Sequence, residues 1–202
     1  MKSRLFVYWL LVLGVALSWP LSSLRVEADG KEALALNQEG EKLLQQGKYT
    51  EALKTFRKMS EQCGTHQYCK GVAAFYQGRT NAEIAKYDDA LKFFDEAEQI
   101  FIQLNKENEK AMVIAGRGSV LAGRGDYKGA RNLFEKAEAT FTEKKNQKEL
   151  YSLYNSMAVV LAYICEFDLS LSYLKKAQQL VAGSDDHKIT GPLNVKDRKS
   201  VV

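Results

Sequence analysis

Four similar segments about forty residues apart limit this chain more than any other feature. They read GKYTEALKTFRKM (47–59), AKYDDALKFFDEA (85–97), GDYKGARNLFEKA (125–137) and CEFDLSLSYLKKA (165–177). Their aromatics, Tyr49, Tyr87, Tyr127 and Phe167, are spaced 38, 40 and 40 residues apart. Nine residues before each aromatic stands a small residue: Gly40, Gly78, Gly118 or Ala158. Three after it comes Ala52, Ala90, Ala130 or Ser170, seven after it Phe56, Phe94, Phe134 or Leu174, and ten after it Met59, Ala97, Ala137 or Ala177. A unit repeated at fixed period cannot bury its apolar faces alone, so the copies must stack into one continuous core.

Apolar residues recur three and four apart with Ala, Glu, Lys, Leu and Gln between them, and strand-like alternation is absent. The chain is therefore expected to be all-α, with helices near 31–46, 49–62, 69–85, 87–104, 107–123, 126–143, 147–164 and 167–181. The small residues let two antiparallel helices approach closely. The ring at the start of each second helix is expected to plug the junction of its own pair. Phe56, Phe94 and Phe134 share a face with the small residue four before them and should cover the seam to the next pair.

This recurring set resembles the tetratricopeptide repeat family over residues 33 to 181, in a lengthened form. The usual period is 34 residues, and the extra ones fall in EQIFIQLNKENEK and EATFTEKKNQKEL. Long-repeat arrays of Pins-type scaffolds, kinesin light chains and bacterial Rap-type regulators are similar. The resemblance implies a right-handed α-solenoid of about four helix pairs, whose concave face is lined by the first helix of each pair and binds a protein or peptide. Its groove positions fall on Asn37, Glu41 and Gln45, then Phe75, Arg79 and Glu83, then Ala115, Ser119 and Ala122, then Asn155, Val159 and Tyr163. Phe75 and Tyr163 are the expected aromatic anchors. Glu41 stands where a chaperone-type carboxylate clamp wants Asn, so no such clamp is expected.

The N-terminus carries a leader pattern. Lys2 and Arg4 precede the uncharged run LFVYWLLVLGVAL (5–17), and Val26 and Ala28 are small residues at minus three and minus one of a cleavage point. Cleavage there would export a chain beginning at Asp29, periplasmic or secreted. The alternative is an uncleaved anchor over residues 5–24, since about 20 uncharged residues can cross a bilayer. Residues 29–182 then form the solenoid, and 183–202 a polar tail broken by Gly191 and Pro192. Because the last pair lacks a polar capping helix, its outer face could also join two copies as a homodimer.

Composition narrows the function. The whole chain has 29 basic and 25 acidic side chains, and without Lys2, Arg4, Arg25 and Glu27 the surplus of positive charge falls to two. So weak a field gives no reason to expect nucleic acid as a partner. GRGSVLAGRGD (116–126) follows no strand, and its Gly118 and Gly125 fit the repeat rather than a phosphate loop. Asp126 reads as a helix N-cap rather than part of an adhesion tripeptide. His66 and His187 have no Ser or Cys partner implied by the sequence. Asp88 and Glu96 lie at helical spacing from Lys92, as Glu135 does from Arg131, the pattern of a solvated face. No enzyme, cofactor or metal is expected.

CGTHQYC (63–69) gathers two of the three cysteines and one of the two histidines. Three ligands fall short of a closed zinc site, and the spacing is not that of a Cys-x-x-Cys redox motif. A bridge requires Cα atoms about 4.4 to 6.8 Å apart, whereas six residues of continuous helix rise about 9 Å. Gly64 can stop the helix as a left-handed cap. A disulfide between Cys63 and Cys69, two free thiols and a metal site all remain open here, and export favours the disulfide. Cys165 is expected to be a buried, inert thiol. Taken together the chain reads as an exported non-enzymatic scaffold. The alternatives are a sensory or regulatory segment of a larger signalling protein or enzyme, and a membrane-anchored assembly factor.

Overall fold

The computed structural model describes residues 31–182. The leader reading of 1–28 and the tail from 183 lie outside them. Within these residues the chain is all-helical: α1 (31–45), α2 (Tyr49–Gln62), α3 (Gln67–Glu83), α4 (Tyr87–Gln103), α5 (Glu107–Gly123), α6 (Tyr127–Glu143), α7 (Gln147–Tyr163) and α8 (Phe167–Ala182). None of these helices is long and apolar enough to cross a membrane. Each helix packs on its neighbour in sequence, and α3, α5 and α7 also touch in succession. The result is a solenoid of helix pairs whose odd-numbered helices form one layer.

The turns explain the even period. Apart from the one after α2, each is three residues long and contains a residue in the left-handed region: Gly47, Ala85, Asn105, Gly125, Lys145 and Cys165. In each, a backbone N–H closes back on a carbonyl five residues earlier, as Lys86 does on Asn81 at 2.9 Å and Asp126 on Leu121 at 2.9 Å. Seventeen-residue helices and three-residue turns give a 40-residue unit. The first joint departs from this: α2 has only 14 residues, and Gly64, at φ +53°, turns the chain instead.

Packing follows the sequence register. Ala52, Phe56 and Met59 of α2, Ala90, Phe94, Ala97 and Phe101 of α4, and Ala130, Phe134, Ala137 and Phe141 of α6 are all buried. A Cβ on Gly78 would stand 2.8 Å from the Phe94 ring, and one on Gly116 of the next pair 2.5 Å from it. Phe94 is thus held within its own pair and by the next, both through missing side chains. In α8 the equivalent Leu174 has no pair beyond it among the described residues and is 46% exposed. Ser170, in place of the repeated Ala, is held by a 2.7 Å bond from its hydroxyl to the Ala158 carbonyl.

Three expectations need correction. The rings that open α4 and α6 reach beyond their own pairs. The Tyr87 hydroxyl lies where a Gly123 side chain would begin, and Tyr127 stacks on Tyr163 at 4.6 Å, so these rings meet the end of the next pair's first helix. Cys165 is exposed rather than buried, because it occupies the left-handed turn position taken by Gly125 one pair earlier. Lys92 meets Asp89 at 3.8 Å, while Asp88 is taken by Arg124 across the joint. The Arg131 to Glu135 pair forms as expected, at 2.9 Å. Asp126 also caps α6, its carboxylate accepting from the Gly129 N–H at 2.9 Å.

Candidate functional site

The layer of odd-numbered helices carries a polar constellation over an aromatic floor. A cavity of about 130 Å³ opens among α3, α5 and α7. Phe75, Phe94, Phe134 and Phe141 form its floor, and Arg79, Glu83, Ser119, Glu149, Ser152 and Ser156 lie around it. Phe75 is only 6% exposed and packs against Tyr76 and Phe94, with ring centroids at 5.2 and 6.0 Å. Its ring is therefore part of the core and meets the cavity from beneath, not as a free anchor. Arg79 stands exposed at the rim with no hydrogen bond or ion pair within bonding distance among the described residues.

On the N-terminal side Asn37 donates to Glu41 at 2.9 Å. Glu41 in turn receives Lys148 at 3.5 Å, across 107 residues of sequence. The first and seventh helices thus approach one another over the inner face. Below them Tyr76 stacks on Phe56 at 4.9 Å. Burial, and then the adjacent Glu41 carboxylate, raise the Tyr76 phenol well above its ordinary range. Burial also raises the Glu149 carboxyl above its usual value, opposed by Arg79 and Lys148 and reinforced by Glu41. The group presents hydroxyls, carboxylates and one guanidinium over an apolar base.

The remaining expected groove residues scatter. Gln45 is exposed at the end of α1. Asn155 is half-buried, its amide bonded to the Tyr151 carbonyl at 2.8 Å within its own helix. Tyr163 is 64% exposed and lies against Tyr127 at the far end of α7. The cavity instead receives Glu149, Ser152 and Ser156 from the first half of α7, whereas α3 contributes its second half, Phe75 to Glu83. It therefore runs diagonally across the layer. The i, i+4 spacing of Ser152 and Ser156 marked a small polar stripe, but nothing in it fixed the height at which that stripe meets α5.

Cys63 and Cys69 are joined in a disulfide, with Cα atoms 5.5 Å apart. The bridge ties the end of α2 to the first turn of α3 and commits both sulfurs, so they are not free as thiolate ligands. His66 sits in the turn between them, its backbone N–H donating to the Cys63 carbonyl at 2.9 Å. No protein-family model matches this chain, and no curated protein matches it either.

Proposed function

We propose that this chain is a tetratricopeptide-like, exported, non-enzymatic scaffold that binds a protein or peptide across its inner helix face. The observation carrying this reading is the open rim of the diagonal cavity, where Arg79 is exposed and unpaired among the described residues beside Glu83, Ser119 and Glu149. A guanidinium with no carboxylate within bonding distance among the described residues, though Glu149 lies near enough to feel its charge, is a ready partner for a carboxylate or backbone carbonyl of a bound segment. The aromatic floor supplies apolar contact once water is excluded. Crosslinked capture from the native compartment should recover at least one partner with the wild type that is lost with an Arg79→Glu, Ser119→Arg double variant. Both sites are exposed, so the fold tolerates the change. Identical recovery by both proteins overturns the assignment.

Export rests on the leader pattern. An intact mass beginning at Asp29 supports it, and one beginning at Met1 supports the anchored alternative instead.

A second reading, self-association through α8, is favoured by its apolar stripe. Phe167, Leu171 and Leu174 are 65%, 52% and 46% exposed at helical spacing. Light scattering separates a dimer, weakened by Leu171→Glu, from a monomer.

A further inference from the structure

The first pair contains a gap that the later pairs fill with their own side chains. In α4 and α6, fourteen residues after the opening tyrosine, stand Phe101 and Phe141, each 1% exposed. The same register places Cys63, a far smaller side chain, just after the end of α2, which has 14 residues against 17 in α4. Phe101 lies over the start of α3, where a Gly71 side chain would come within 2.8 Å of it and the Tyr68 ring is 6.2 Å away. The corresponding place in the first pair is an open cavity of about 480 Å³, lined by Ala33, Leu34, Asn37, Cys63, Tyr68 and Val72 among others. That volume lies in the range of ligand pockets.

Two further observations bear on its occupant. Leu34 and Tyr68 are 59% and 46% exposed at its mouth. The Asn37 side-chain oxygen is buried with no hydrogen-bond partner among the described residues, and a buried unpaired acceptor calls for a donor. Asn37 also bonds Glu41 of the inner face, so one side chain adjoins both the pocket and that face.

We infer that this pocket receives an aromatic side chain of the bound polypeptide, taking the place that Phe101 and Phe141 fill in later pairs, with Asn37 accepting a donor from the same segment. This rests on the inner-face reading above, and the test separates the two. N-acetyl-tryptophanamide, titrated into the ¹⁵N-labelled chain, should cause saturable shifts of the amides of α1, the end of α2 and the start of α3. Val72→Trp, which fills the pocket from within, should weaken binding about tenfold or more, equivalent to about 1.4 kcal/mol. Leu34→Glu alters only an exposed rim residue and so preserves the fold; it should weaken binding several-fold. Arg79→Glu should leave it unchanged. No saturable shift, equal binding of N-acetyl-alaninamide, or full affinity in Leu34→Glu overturns the pocket. Partner capture that depends on Arg79 without probe binding sinks the pocket alone, whereas probe binding with capture indifferent to Arg79 sinks the inner-face reading alone.

Discussion

Small residues set how closely the helices approach, and single substitutions should reveal it. Ala90 is fully buried, and a side chain on Gly78 would begin 3.1 Å from the Ala90 carbonyl. Ala90→Leu therefore overpacks the α3 and α4 contact and should cost about 1 to 3 kcal/mol in urea unfolding. Charge acts differently at Glu149. Burial holds its folded pKa above the ordinary value of 4.5, so the stability it contributes is complete below that value and is lost as pH rises through the raised pKa. Glu149→Gln should match the wild type in acid and become the more stable protein above that window, read as a difference in Tm from about pH 4 to about pH 8. The small residues were legible in the sequence because each recurs at a fixed distance from a ring. Glu149 was not, because the charges that act on it include Glu41 of α1, more than one hundred residues away.

Local periodicity located all eight helices within about two residues, since helix ends depend on nearby turn residues. Gly64 carried the same kind of signal and stops α2 as expected. What periodicity could not supply was the use of the opening rings: Tyr87 and Tyr127 reach forward to the next pair, which depends on how pairs dock, not on any one helix. The short α2 makes the disulfide matter. A ring closed over so few residues should stabilise the chain by about 2 to 2.5 kcal/mol. Reduction should lower the urea midpoint accordingly and raise amide exchange in α1 to α3, leaving α5 to α8 near their starting rates.

For the whole molecule, stability should be approximately a sum of pairs and the seams between them. The middle pairs are covered on both sides, whereas α8 shows Phe167, Leu171 and Leu174 to solvent. Amide exchange should accordingly be slowest in α3 to α6 and fastest in α8; uniform protection would mean that the chain opens as one unit. The height at which successive odd-numbered helices meet was not legible in the sequence, and the cavity takes a diagonal course for that reason. The contact of Glu41 with Lys148 follows from the same rotation. It spans three joints, so a small pivot at each adds to its neighbours, and the gap between those two side chains behaves as a caliper for the curvature of the whole array. A label pair at the ends of α1 and α7 would turn bending of a few degrees per joint into a measurable change in separation.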